Sequence, residues 1–384
     1  MKKIALTLSL AVMAILLLSS CARTPVQPLN NSTNYYQYIQ PSFAQYTRVT
    51  SDWLTSHRAY ISDETATELA MNAPYAVEPT QTTDKAILLV HGLGDSPYSF
   101  SDLATTLSQQ GFYVEVLLLP GHGSNPKHLE LVEYEDWQHI VDHYANLLKQ
   151  KYKNVWLGGF STDGNLVTIH AMEQQGIAGL MLFSPGFQSR TPFLEKLAPL
   201  AALFFDGYQG VETNFARYSS APLNGAIAYT DSADRVRELF EQHSLSIPTL
   251  IAVSEADSII DARAIKDFYR TNFSHPNNRF IWYGDTTEPV PNISVKTMRL
   301  PQQKITTGSH MSMLFAPDNS YYGRNGRKKM CNNGFDKEAA KRCNEGAETW
   351  YSAWGVEEKG KIHARLTFNP YYQDLARQMQ QVAN

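Results

Sequence analysis

Five short, mainly apolar runs constrain this chain more than any other feature: 86–90 (AILLV), 113–118, 154–157, 179–183 and 249–253. A run that stays apolar at successive positions has no polar face to turn to water, so it suits a strand covered on both sides. Helical stretches such as 101–110 and 137–149 alternate with these runs, and the alternation predicts an α/β architecture around a mostly parallel sheet with helices on both faces. With 384 residues, 43% of them hydrophobic and 11% aromatic, there is enough apolar material for one large domain or two small ones. No internal repeat of fixed period breaks the pattern.

The first twenty residues read differently. MKK precedes the mainly apolar run 4–18, which is too short to span a bilayer comfortably, and small residues lead to Cys21. This is the layout of a secretory signal. The tetrad Leu18, Ser19, Ser20, Cys21 resembles a bacterial lipobox, which implies cleavage before Cys21, lipidation of its thiol and attachment to a membrane through the lipid. Ala22 in the next position implies, by the same resemblance, the outer membrane. Residues 21–45, rich in Asn, Gln, Ser, Thr, Tyr and Pro, read as a tether. The net charge of −4 becomes −6 once Lys2 and Lys3 leave with the leader, and with no long basic run it argues against a nucleic-acid partner. In an oxidising envelope Cys331 and Cys343 are an even pair and are expected to form a disulfide. Twelve positions apart, with no CxxC or neighbouring histidine, they make a poor zinc set.

In a parallel sheet the chemistry gathers beyond the carboxyl ends of the strands, and there the polar motifs fall. HGLGDSPYSF (91–100), LPGHGSNP (119–126) and GGFSTDGN (158–165) each follow an apolar run. The last is close to a GxSxG elbow, a sharp strand-to-helix turn that exposes a serine hydroxyl above the sheet. Asp163 stands where the second glycine is expected, and the glycine arrives one place later as Gly164. Two readings of Asp163 follow: a carboxylate favoured by the helix N-terminus in a working turn, or a bulky charge that spoils the elbow or the oxyanion beside it.

A serine hydroxyl needs a base, and the base needs an acid to hold its tautomer. In chain order after Ser161, the segment SEADSIID (254–261) offers Glu255, Asp257 and Asp261. Asp257 is preferred for its place in a loop just past a strand, Glu255 is second, and Asp261 reads as a helix cap. Downstream histidines are His275 in a turn-like NFSHPNN, His310 in TTGSHMSML after the strand-like 293–300, and His363 inside an alternating segment. His310 is the preferred base by position.

Taken together, HGLGDSPYSF, LPGHGS, the Trp137 helix, GFSTDG, the Asp257 loop and SHMSML resemble the α/β-hydrolase superfamily, and most closely its bacterial carboxylesterase and monoacylglycerol-lipase-like branch, over about residues 74–315. The resemblance implies the α/β-hydrolase fold, a Ser161–His310–Asp257 triad and an oxyanion hole from the backbone amides of Leu93 and Thr162. It implies no metal or organic cofactor; His91 and His122 read as hydrogen-bonding loop residues. The expected domains are 1–20 signal peptide, 21–45 tether, 46–315 hydrolase with a small cap at about 185–247, and 316–384 a disulfide-containing C-terminal extension packed on it. The basic cluster 324–329 reads as a solvated loop. The implied activity is hydrolysis of a lipid or small-molecule carboxylic ester, such as an acyl glycerol, a lysophospholipid or another medium-chain ester, through an acyl-enzyme. A peptidase on the same triad and a non-catalytic lipoprotein that binds an acyl ligand are the alternatives.

Overall fold

The computed structural model describes residues 35–285, 287–334 and 336–384; the leader and Cys21 lie outside the described residues. The chain opens with α1 (Phe43–His57) and α2 (Thr65–Asn72), then alternates through β1 (Tyr75–Val77), β2 (Lys85–Val90), α3 (Ser101–Gln109), β3 (Tyr113–Leu117), α4 (Tyr134–Lys149), β4 (Asn154–Phe160), α5 (Thr162–Glu173) and β5 (Ile177–Phe183). The short α6 (Pro192–Lys196) and α7 (Ala198–Ala201) lead to the two-residue strands β6 (Gly207–Tyr208) and β7 (Ala221–Pro222) and the long α8 (Leu223–Gln242). There follow β8 (Thr249–Ser254), α9 (Ala262–Asn272), β9 (Arg279–Tyr283), β10 (Ile293–Lys296), α10 (Lys337–Asn344), β11 (Trp350–Ser352), β12 (His363–Arg365) and α11 (Tyr372–Val382).

Eight strands form one sheet in the order β1-β3-β2-β4-β5-β8-β9-β10. Only β1 runs antiparallel, against β3; the other pairings are parallel. The apolar runs occupy the middle, and their alternate residues split between two cores. Leu88 and Val90 face α4, α5, α8 and α9, with Trp137, Leu166, Val236 and Ile265. Ile87 and Leu89 face α3 and α11, with Leu103, Leu107, Leu375 and Met379. This is the period-two division that a strand buried on both faces requires. After β2 the chain turns to β3 on one side and returns as β4 on the other, so the order reverses at β2. A crevice opens there at the carboxyl ends of β2 and β4.

Two expected boundaries fall inside packed structure. The expected tether extends to residue 45, yet α1 starts at Phe43 with the Ser42 side chain accepting from the Gln45 amide, and Tyr35, Tyr36 and Tyr38 are buried. The Tyr38 hydroxyl donates to Asp136 at 2.7 Å, and the Tyr35 hydroxyl accepts the Gly121 amide at 2.8 Å. A segment polar by composition can still bury tyrosine rings when each hydroxyl finds a partner. Residue 315 is likewise no edge. Leu375, Met379 and Val382 of α11 sit in the same core as Ile87, Val114 and Leu250, so the C-terminal helix covers one face of the sheet. Of the 185–247 stretch, residues between Tyr208 and Pro222 line the crevice together with Ala226 and Tyr229 of α8, while α8 buries Ala228, Val236, Leu239 and Phe240 against the body.

Candidate active site

At the crevice, β4 ends in Gly158, Gly159 and Phe160 and the chain turns through Ser161 into α5. Ser161 sits at φ 57°, ψ −121°, a region that costs a non-glycine residue roughly 1–3 kcal/mol and persists only where its surroundings enforce it. Here they do: the Ser161 amide donates to the Phe183 carbonyl at 3.0 Å, and its own carbonyl accepts from Gly164 at 3.0 Å and Gly186 at 2.8 Å. The turn is tight enough that a Cβ on Gly159 would lie 2.3 Å from the Asp163 carbonyl oxygen, and one on Gly164 would lie 2.7 Å from the Pro185 Cβ. The close approach to the neighbouring strand end is therefore made by Gly164, one place later than in the usual motif.

His310 hangs from the loop beyond β10 with its ring against Phe160, centroids 4.9 Å apart. Its Nε2 is 2.9 Å from Ser161 Oγ and its Nδ1 is 2.7 Å from Asp257 Oδ2. Asp257, in the loop after β8, is buried. Its Oδ1 accepts the amides of Ile259 at 2.8 Å and Ile260 at 3.1 Å, and its Oδ2 also accepts from the Ser184 hydroxyl at 3.1 Å. The structure thus brings together the three side chains preferred in the sequence. Their competitors lie elsewhere: Asp261 caps α9 through the amides of Arg263 and Ala264, Glu255 accepts the Asp285 amide, His275 accepts the Asn277 amide, and His363 lies in β12.

The amide of Leu93 hydrogen-bonds to no other described residue. Thr162 opens α5, and the amide of a first helical residue has no acceptor within its own helix. Both residues line one cleft with Ser161 and His310, a cavity of about 910 Å³. His122 Nε2 accepts the Gly94 amide at 3.0 Å and His91 Nε2 the Leu119 amide at 3.2 Å, so both act as loop anchors. Burial pulls the His91 imidazole down to about 4, which keeps it neutral and able to accept. Among the described residues no three His, Cys, Asp or Glu side chains gather as a metal site.

Asp163 fits neither sequence reading. It lies in the first turn of α5 and is fully buried, but neither carboxyl oxygen has a hydrogen-bond partner; it caps nothing. Burial, with a smaller contribution from Asp95, pushes its carboxyl well above the usual carboxylate range. A carboxyl held toward its neutral form puts little charge beside the oxyanion, and the elbow geometry is kept.

Several site residues left no clear sequence signal. Ser184, at φ 43° just past β5, has its hydroxyl within donating distance of both Asp257 Oδ2 and the His310 carbonyl and can give its one proton to either; a lone polar residue at a strand end is the only hint in the sequence. Asp95 lines the cleft and takes a two-pronged contact from Arg217 at 2.9 and 3.1 Å. The far wall comes from the C-terminal extension, where Lys328, Lys329, Trp354 and Arg365 face the cleft. Cys331 and Cys343 form the expected disulfide, and Cys331 lies in that wall. The basic cluster is not simply solvated: Arg327 pairs with Glu64 and Lys328 donates to Thr213.

The sequence profile of the hydrolase family described as serine aminopeptidase, S33, matches residues 81–233. A thermostable monoacylglycerol lipase of Bacillus sp. (strain H-257) is 30% identical over 95 residues, which is 25% of this chain and 38% of the relative, well under half of the relative's length. A carboxylesterase of Bacillus subtilis (strain 168) is 22% identical over 210 residues, 53% of this chain and 84% of the relative. A solved monoacylglycerol lipase of Paleococcus ferrophilus aligns with a TM-score of 0.46 at 18% identity, covering 59% of this chain and 91% of its own.

Proposed function

We propose that this chain, which matches the hydrolase profile over residues 81–233 and is similar to a monoacylglycerol lipase and a carboxylesterase, is a lipase- or esterase-like serine hydrolase of the α/β-hydrolase superfamily that cleaves carboxylic esters through an acyl-enzyme on Ser161. The observation that carries the reading is the hydrogen-bonded line from Ser161 Oγ through His310 to Asp257, at 2.9 and 2.7 Å. Ser161 Oγ attacks the ester carbonyl while its proton passes to His310 Nε2. Asp257 Oδ2 accepts from His310 Nδ1, which fixes the tautomer and stabilises the imidazolium that forms. The carbonyl oxygen, now an oxyanion, meets the amides of Leu93 and Thr162; such donors are worth on the order of 10²–10³ each in rate. Collapse expels the alcohol, which takes the proton back from His310. Water then repeats the sequence on the acyl-enzyme and releases the acid.

A lipid-like acyl ester is the substrate class we favour. The stretch between β5 and α8 exposes Phe193, Leu200, Leu203, Phe204, Phe205 and Val211, the last of them in the cleft lining, and large exposed apolar side chains in such number suit contact with lipid or another apolar partner. The relatives named above as monoacylglycerol lipase and carboxylesterase point the same way. The family's aminopeptidase description raises a peptidase reading, but a free substrate amine needs an available carboxylate. The cleft's one carboxylate among the described residues, Asp95, is already taken by Arg217. We carry the lipid anchor at Cys21 into the proposal; the Cys331–Cys343 disulfide supports an oxidising compartment.

A fluorophosphonate probe tests both parts. Labelling of the wild type and its loss in Ser161→Ala are expected, with label in the membrane fraction of cells and a shift to the soluble fraction in Cys21→Ser. An unlabelled wild type, folded by circular dichroism, would overturn the hydrolase reading. Unchanged partitioning of the Cys21 variant would overturn the anchor.

A further inference from the structure

The walls of the cleft carry charge that the reaction does not use. Arg217, Lys328, Lys329 and Arg365 line it against a single carboxylate among the described residues, that of Asp95, although the chain as a whole is net negative. Arg217 is neutralised by Asp95 and Lys328 is held by Thr213. Arg365 forms no ion pair or side-chain hydrogen bond with a described residue, and the Asp95 carboxylate, already bound to Arg217, acts on it only from farther off. Arg365 extends from β12, whose backbone is fixed by a bridge to Met330 with the Arg365 amide donating at 3.0 Å. Its guanidinium lies over the Trp354 ring, 4.8 Å from the centroid. Its Nε is sealed from solvent and hydrogen-bonds to nothing among the described residues. Burial and the nearby Arg217 pull its pKa down to about 10, so it stays charged at neutral pH. Taking a cation out of water without a paired anion is costly, and a guanidinium presents a planar fork of donors matched to phosphate or carboxylate.

We propose that this cleft is built for an anionic ester, and that Arg365, with Lys328 and Lys329 beside it, binds a phosphate or carboxylate group on the same molecule whose ester carbonyl reaches Ser161. The proposal rests on the hydrolase reading for the fate of the ester and adds the charge of the substrate. The anion supplies a counter-charge for the guanidinium, and the cation–π contact with Trp354 holds the guanidinium plane while it binds. The apolar part of the lining, Leu93, Leu129, Val211 and Ile259, and the cationic wall then receive the two ends of one amphiphile.

Binding is separable from turnover in the Ser161→Ala background, with octyl phosphate and octanol titrated by calorimetry. We expect octyl phosphate to bind at least about ten-fold tighter than octanol, Arg365→Gln to erase that difference, and Arg365→Lys to retain part of it. Octanoate in place of octyl phosphate tells which oxyanion is preferred: preference for either over octanol sustains the proposal, and preference for neither overturns it. In the active protein, a 1-acylglycerol 3-phosphate and the 1-monoacylglycerol of the same chain length form the matched pair. Arg365→Gln should raise KM at least ten-fold for the phosphate ester and leave kcat/KM for the neutral ester within about two-fold. Equal losses on both esters would overturn the proposal. Octyl phosphate that binds to a protein whose Ser161 proves unreactive would sink the hydrolase reading and leave the anion site standing.

Discussion

The floor of the cleft and its outer wall differ in how much of their polar capacity is spent inside the protein. On the floor, Asp257 accepts from two amides, a hydroxyl and His310, and His310 uses both ring nitrogens. On the wall, Arg365 Nε has no acceptor among the described residues, and Val211, which lines the cleft, is 84% exposed. A closed network holds geometry and leaves little to offer a ligand, whereas unspent donors and apolar surface are what recognition draws on. Floor and wall should therefore fail differently when mutated: the floor in rate, for every substrate, and the wall in preference among substrates.

The largest effect tests the floor. Asp257→Asn keeps the size of the side chain but replaces an acceptor of the His310 N–H with a group that can present a donor there, so the imidazole is no longer held in the tautomer that accepts from Ser161. We expect kcat to fall on the order of 10³–10⁴-fold, equally for neutral and anionic esters, with KM little changed in steady-state assays. A loss confined to one ester class would mean that Asp257 acts in recognition, and the division between floor and wall would break.

Those two regions were also unequally legible in the sequence. Ser161 and Asp257 stand just past apolar runs whose strand character is strong, His310 follows the weaker strand-like 293–300, and a parallel sheet forces the loops after its strands to one edge. The topology itself thus brings residues 96 and 53 positions apart into reach. The wall has no such rule. Arg365 reaches the cleft because a short parallel pair, β11 with β12, and a disulfide fold the extension back over the site, and neither leaves a periodic trace. The burial of the segment at Tyr35 was hidden for a related reason. Tyr35 and Tyr38 occur in a polar segment, and only the Gly121 amide and the Asp136 carboxylate, far along the chain, make their burial favourable. Non-local partners of this kind cannot be read from composition.

The disulfide sharpens the comparison from the other side. It closes a span of twelve residues in the wall, and a cross-link of that length stabilises by about 3 kcal/mol in the chain-entropy account. Replacing both Cys331 and Cys343 with serine should lower the urea midpoint accordingly. Because the bridge adjoins Met330, which pairs with Arg365, the wall should loosen before the floor. The ratio of kcat/KM for anionic over neutral esters should fall several-fold while fluorophosphonate labelling of Ser161 persists. If labelling is lost in step with that ratio, the extension supports the floor as well, and the two regions are one unit.

Asp163 is the exception to the pattern, an unpartnered carboxyl buried in the floor, and its effect should be the smallest. Its pKa is raised in the folded state by burial, so above the ordinary range near 3.8 the folded protein binds more protons at this site than the unfolded chain. Stability then falls as pH rises, from the unfolded pKa up to the folded one. Asp163→Asn removes the titration while keeping the shape, so the variant should melt close to the wild type at pH 4 and roughly 1–3 °C above it at pH 8. Differential scanning calorimetry across that range reads the slope directly. The kcat of the variant should stay within a few-fold of the wild type, since a neutral amide replaces a carboxyl already held toward its neutral form. A variant that melts lower than the wild type at pH 8, or loses kcat by orders of magnitude, would show that the Asp163 carboxylate is spent on the floor's geometry after all, and the contrast with the wall would then hold without exception.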